Sequence, residues 1–312
     1  MALCLLLSCV VSRAQSNSPV SFSKVANLPY PLVYHAYTHD DESIYAINGL
    51  ISGNVYSTGL LKYNPAANGQ WTVLTNKLTP KIRAVAAYVP ATHKIYIMGG
   101  QLRNKLGLFN GIEAVDVITG EVESLNVVNP MPATDGGIAV WNNKIYLFGG
   151  NESQDGGSAA TGKFYEFDPV LKKFNQLPNM PQNLITSGAA VNGAIYVFGG
   201  YDQNNNVMRD IYTYNISTNT WKEAGKLPQR VIATATAAWQ GKVFLTGSFP
   251  DQKFFGYYDT VNQTFTKLKA DLNGRRYAGA GIIGSKLYIY GGTLSQTFKG
   301  LTSVQVTDVS GL

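Results

Sequence analysis

Apolar and polar positions along the chain alternate in short bursts, and one burst recurs six times. It reads SIYAING from Ser43 to Gly49, KIYIMGG from Lys94 to Gly100 and KIYLFGG from Lys144 to Gly150. It returns as AIYVFGG from Ala194 to Gly200, KVFLTGS from Lys242 to Ser248 and KLYIYGG from Lys286 to Gly292. The final residues of successive copies lie 51, 50, 50, 48 and 44 positions apart. Each copy is rich in β-branched and aromatic residues and closes on small ones, the composition of a strand buried on both faces. Paired glycines let the backbone leave a sheet where a side chain would clash. Upstream, small-residue segments end in turns: Ala139-Val140-Trp141 before Asn142-Asn143, Ala189-Ala190-Val191 before Asn192-Gly193, Ala237-Ala238-Trp239 before Gln240-Gly241. Asn-Gly between apolar runs signals a hairpin. Downstream, an aromatic followed by Asp or Asn precedes a second aromatic: Tyr63 and Trp71, Phe167 and Phe174, Tyr214 and Trp221, Tyr258 and Phe265. The pattern predicts six antiparallel four-stranded meanders of about fifty residues each.

These units resemble the kelch repeat: a double glycine closing the second strand, an aromatic with Asp or Asn in the third, and an aromatic in the fourth. The resemblance extends over essentially the whole chain after residue 14. Departures are local, with Asn48 for the first glycine of unit 1, Ser248 for the second glycine of unit 5, and Val122 for the fourth-strand aromatic of unit 2. A WD40 repeat would run about 40 to 45 residues and carry Trp-Asp, and none of Trp71, Trp141, Trp221 or Trp239 precedes Asp. The resemblance implies an all-β fold, a six-bladed kelch-type β-propeller over residues 15–312, with blades beginning near residues 30, 81, 133, 182, 229 and 275. The last unit supplies three strands, and Ser21 to Pro29 resembles a fourth, with Phe22 in the Trp position. The N-terminal strand is thus expected to close the last blade and remove the exposed edges of an open ring. Prolines 29, 80, 132, 181 and 228 fall in the connections between blades, where the chain leaves a ladder.

Composition narrows the class. Of 312 residues 45% are hydrophobic, 14% are charged and 32 are glycine, which excludes a disordered or coiled-coil chain. Net charge is +6, yet no Lys/Arg run exceeds the pairs Lys172-Lys173 and Arg275-Arg276, so nucleic acid is not expected as a partner. Residues 1–14 read as a signal peptide cut after Ala14, their apolar run being too short to span a bilayer. An alternative takes Leu6-Leu7-Ser8-Cys9 as a lipobox with a lipid anchor at Cys9. Either way the expected location is the periplasm, cell surface or extracellular space. Cys4 and Cys9 are the only cysteines, so a chain cut after Ala14 has neither disulfides nor thiol chemistry.

Function on a propeller sits on loops, since the strands are committed to packing. Two loop sets share one face. The connections between blades carry Arg83, Arg230, Arg275 and Arg276, and the loops after the glycine pairs carry Arg103, Glu152, Asp155, Tyr201, Asp202 and Asp251. Five of the seven arginines therefore fall on that face. Arginine clamps carboxylates in a bidentate fork, so an acidic sugar or an acidic peptide or protein is the expected ligand of Arg83, Arg103, Tyr201, Arg230, Arg275 and Arg276. Kelch repeats also place Arg after the inter-blade proline for structural reasons, and both roles stay open.

His35, His39 and His93 lack the spacing of a zinc site, and no metal or cofactor is expected. His35, before Ala36, stands where kelch units carry a structural histidine. Kelch-type copper-radical oxidases use a Cys–Tyr cross-link that the cut chain cannot form. No glycine-rich phosphate loop opens a helix. The pairs Glu121/Glu123 and Asp40/Asp41 read as solvated turns. Asn151, Asn215 and Asn262 begin glycosylation sequons. Three functions are open: an exported, monomeric binding module for a glycan or protein, a sugar-acid epimerase or mutarotase, and a ubiquitin-ligase adaptor. The second follows from resemblance to exported N-acetylneuraminate epimerases, which implies catalytic candidates Glu152, Asp202 and Arg209. The missing partner domain and the signal sequence count against the third.

Overall fold

Six four-stranded antiparallel sheets stand around a central channel, one for each repeat. The computed structural model describes residues 18–312 apart from 54, 104–106 and 295–298. The signal peptide, Cys4 and Cys9 lie outside the described residues. Among the described residues helix is limited to short 3-10 geometry, as at Pro90–Thr92, and no helix is long and apolar enough to cross a membrane.

The inner strands are Ala36–His39, Val85–Val89, Gly137–Trp141, Ile185–Val191, Ala235–Trp239 and Gly279–Ile283. Each packs beside the inner strands of the two neighbouring blades, and blade 6 meets blade 1. The recurring bursts form the second strands, such as Lys94–Met98 and Lys144–Phe148, in which only the leading lysine reaches solvent. The N-terminal strand, Ser23–Val25, pairs with Val304–Asp308 as the outer strand of blade 6, in the register Ser23↔Val306. Phe22 is buried edge-on against Phe255 of blade 5, ring centroids 5.3 Å apart. The expected closure is the one observed.

The aromatic pattern of the outer strands is an inter-blade staple. Trp71 packs between Tyr63 of its own blade and Tyr290 of the blade before, at 5.3 and 5.5 Å. Its indole N–H donates to Ala26 O at 3.0 Å. Trp221 repeats the arrangement with Tyr214, Phe164 and Pro178 O. Half-buried indoles of this kind find such a partner for their N–H. The Asp or Asn after the third-strand aromatic caps the next turn: Asp168 accepts from the N–H groups of Val170 and Leu171, and Asp259 from those of Val261 and Asn262. Short side-chain acceptors stabilise this turn locally.

The second glycine of each pair sits against the residues leading into its own inner strand. At Gly100 φ is +92°, and a Cβ would stand 2.9 Å from both Ile82 O and Ala84 Cβ. Asn48, in place of a first glycine, adopts the same left-handed region at φ 55°. Its amide donates to Ser57 O and Thr79 O, which ties blade 1 to the connection that follows it.

Candidate functional site: the loop-face mouth of the channel

The inner strands enclose a cavity of about 880 Å³. Small residues make up much of its wall, among them Ala36, Ala84, Gly137, Ala139, Ser187, Ala189 and Ala278. Cavities of roughly 300–1,000 Å³ accommodate small-molecule ligands.

At the loop face the chain enters five of the six inner strands through an equivalent residue in the left-handed region: Tyr34, Arg83, Asp135, Ala233 and Tyr277, with φ between 50° and 58°. That conformation costs about 1 kcal/mol or more at each non-glycine position. Backbone bonds between successive blades hold it. The Arg83 N–H donates to Tyr34 O at 2.8 Å, Asp135 to Arg83 O at 3.0 Å and Tyr277 to Ala233 O at 3.2 Å. Blade 4 differs, since Ile185 is already part of its strand. There the second and third strands, Ala194–Tyr201 and Val207–Asn215, run on as an extended hairpin, and Tyr201 lines the cavity.

These positions place a compact group across the mouth. The Arg83 guanidinium lies 4.3 Å from the centre of the Tyr34 ring and 5.6 Å from that of Tyr277. Its Nη1 donates to Asp135 Oδ2 at 3.1 Å. Tyr34 and Tyr277 meet edge to face at 4.6 Å. The Asp135 carboxylate holds Arg83 charged even more firmly than usual, while burial lifts the Asp135 carboxyl against the pull of that guanidinium. Burial also raises the phenol pKa values of Tyr34, Tyr201 and Tyr277, so all three are neutral donors at neutral pH.

Of the residues expected from sequence, Arg83 and Tyr201 reach this mouth. Arg276 stands on its rim, 3% exposed, its guanidinium 4.0 Å from the centre of the Phe249 ring and 5.8 Å from that of Tyr277. Arg275 is wholly buried in the wall of blade 6 and offers nothing to a ligand. Its Nη1 donates to Gly291 O and Ser303 O, its Nη2 to Ser303 Oγ and Gln305 Oε1, and its Nε to Asn273 O. Burial lowers its pKa to about 10, which still leaves it charged at neutral pH. Arg103 and Arg230 are exposed and lie away from the cavity lining.

The three catalytic candidates are not brought to the cavity either. Glu152 pairs with Lys163 at 2.7 Å. Asp202 caps its own turn, accepting from the N–H groups of Asn204 and Asn206. Arg209 is exposed on the third strand of blade 4. Asp155 caps Gly157 in the same manner, and Asp251 is held by Gln229 and Lys267. Tyr34, Asp135 and Tyr277 are not distinguished in the sequence by residue type. The signal that finds them is position, since each is the repeat equivalent of Arg83.

His35 is buried, with no hydrogen-bond partner for either ring nitrogen among the described residues. Burial lowers its pKa to about 3, so it is neutral, and it packs against Tyr290 at 5.8 Å. Among the described residues no group of three or more His, Cys, Asp or Glu is placed to hold a metal ion. Of the sequons, Asn151 is buried and its amide braces its own loop through Gly157, Ser153 and Ala159. Asn215 ends the third strand of blade 4 and Asn262 lies on a turn, and both are exposed.

The fold is shared with the solved structure of YjhT, which superposes with a TM-score of 0.77 at 16% identity, covering 91% of this chain and 97% of that one. Kelch-like protein 38 of Rattus norvegicus is 28% identical over 230 residues, 72% of this chain and 38% of its own length. Kelch-like protein terF of Aspergillus terreus is 28% identical over 251 residues, 72% of this chain and 53% of its own length. N-acetylneuraminate epimerase of Escherichia coli K12 is 31% identical over 144 residues, 43% of this chain and 37% of its own length. The chain thus spans about half or less of the curated relatives it matches. The family model for the Attractin/LZTR1 beta-propeller matches residues 14–250, and with its six kelch-type blades the chain belongs to that family.

Proposed function

We propose that the chain is an exported binding module that takes an acidic sugar at the loop-face mouth of its channel. The observation that carries this reading is Arg83, stacked on Tyr34 and paired with Asp135 beside Tyr277 and Tyr201. Arg83 has five N–H donors, more than Asp135 consumes, and is placed to receive a carboxylate. Asp135 and the tyrosine hydroxyls supply partners for sugar hydroxyls, and the rings supply apolar surface for sugar C–H faces. Titration calorimetry with N-acetylneuraminate and with neutral N-acetylglucosamine tests it. Saturable binding of the acid alone is expected, and equal binding of both, or of neither, overturns the reading. Export rests on residues 1–14. N-terminal sequencing of the protein recovered from its host should begin at Gln15, whereas an acylated Cys9 supports the anchor and an intact Met1 refutes export.

A second reading, a sugar-acid epimerase or mutarotase, is favoured by the 31% identity to N-acetylneuraminate epimerase. Because Glu152, Asp202 and Arg209 stand apart from the cavity lining, Asp135 is then the carboxylate placed to move the proton. Proton NMR of the sialic acid anomers is expected to show faster interconversion with the wild type than with Asp135→Asn. An unchanged rate with the wild type leaves binding alone.

A further inference from the structure

Blade 5 breaks the double-glycine rule with Ser248, and the break has a structural use. The Ser248 hydroxyl, wholly buried, accepts from the Ile232 N–H at 3.0 Å and donates to Ile232 O at 3.2 Å. The next residue is pinned as well, its N–H donating to the same Ile232 O at 3.0 Å. That residue is Phe249, which is 49% exposed on the loop face. A phenyl ring on so short and fixed a turn keeps its orientation without a core around it. Its inner face rests on the Arg276 guanidinium at 4.0 Å, and the same guanidinium lies 5.8 Å from Tyr277 in the channel mouth. Rings and cations therefore alternate across the face, in the order Phe249, Arg276, Tyr277, Arg83, Tyr34. A nearly buried guanidinium under one face of an aromatic ring fixes that ring through its quadrupole.

We infer that Phe249 is a second binding subsite, a stacking platform for the next ring unit of a sugar whose acidic residue occupies the Arg83 mouth. The ligand class is accordingly an acidic di- or oligosaccharide. The inference rests on the acidic-sugar reading of the mouth and adds an extension of the site towards blade 5. A ligand seated at Tyr277 that continues along the face passes over Arg276 and meets the outer face of Phe249. Preorganised aromatic surfaces of this kind contribute affinity with little loss of side-chain freedom.

The experiment compares N-acetylneuraminate with its α2,8-linked dimer by titration calorimetry, using the wild type, Phe249→Ala, Phe249→Trp and Arg83→Ala. Phe249→Ala is expected to weaken the dimer about tenfold and the monomer less than twofold, with Phe249→Trp restoring dimer affinity. Arg83→Ala is expected to weaken both sugars. If Phe249→Ala leaves the dimer unchanged while Arg83→Ala weakens it, the subsite is refuted and the mouth stands. If the wild type binds neither sugar, the reading of the mouth fails and takes the subsite with it.

Discussion

Blades 2 and 6 lead into their inner strands with cation-bearing triplets in equivalent positions, Lys81-Ile82-Arg83 and Arg275-Arg276-Tyr277, and put the cations to different uses. In the first position both cations are wholly buried. Lys81 forms an ion pair with Glu113 and lies over the Phe109 ring, while Arg275 is shared among three backbone carbonyls, Ser303 and Gln305. Glu113 and Gln305 are themselves equivalents, each the second residue of a third strand. The second position holds buried Ile82 in one blade and Arg276 beneath Phe249 in the other. The third position faces the channel in both, as Arg83 and as Tyr277. Place within the triplet decides whether a side chain braces a blade or faces the channel. Residue type alone does not.

The largest effects should come from the first position. Lys81→Met leaves Glu113 buried without its partner, which is expected to cost about 3–5 kcal/mol in chemical denaturation, while combining Lys81→Met with Glu113→Leu is expected to recover most of that. A single substitution with no measurable cost would remove Lys81 from the bracing role. Arg275→Met strands the Gly291 carbonyl and removes the guanidinium bonds to Asn273, Ser303 and Gln305, and about 3 kcal/mol should be lost. Equal stability, coupled to a lost ligand, would return Arg275 to the binding set.

The residue after the triplet sharpens the comparison further. It is Ala84 in blade 2 and Ala278 in blade 6, but His35 in blade 1. Because burial lowers the folded-state pKa of His35 to about 3, the unfolded chain takes up its proton first, near pH 6.5. The stability it contributes is complete above that pH and is lost as pH falls towards the folded value, by about 1.4 kcal/mol per pH unit. His35→Ala, which copies blades 2 and 6, should flatten this slope in denaturation measured from pH 7 to pH 4. An unchanged slope would assign acid sensitivity to other groups.

The smallest stability effect is expected at the third position. Arg83 and Asp135 keep side-chain exposures of 27% and 19%, so Arg83→Ala should cost about 1 kcal/mol. A much larger loss would make Arg83 a brace like Lys81.

The architecture was legible because a strand buried on both faces and a glycine pair leave a period that survives substitution. Closure by the N-terminal strand was legible from Phe22, whose ring packs as Trp71 and Trp221 do. The site was legible in part. Arg83 and Tyr201 carry chemistry that attracts notice, and the loop rule put both on the face where they line the cavity. Arg275 has the same chemistry, yet its direction is set by Gln305, distant in sequence, and by carbonyl groups that no sequence displays. Asp135 reads as one more acidic turn until its left-handed backbone and its bond to Arg83 are seen together. Glu152 and Asp202 were placed by counting beyond the glycine pair. Their loops fold back on Lys163 and Asn206 rather than turning inward.

The most direct test of the channel mouth as the binding site sets two arginines of one face against each other. Calorimetric titration of N-acetylneuraminate into Arg83→Ala and Arg230→Ala should show binding weakened at least tenfold in the first and within twofold of the wild type in the second, since Arg230 lies outside the cavity lining. Equal losses in both variants, or a loss confined to Arg230→Ala, would contradict a site built around the mouth of the channel.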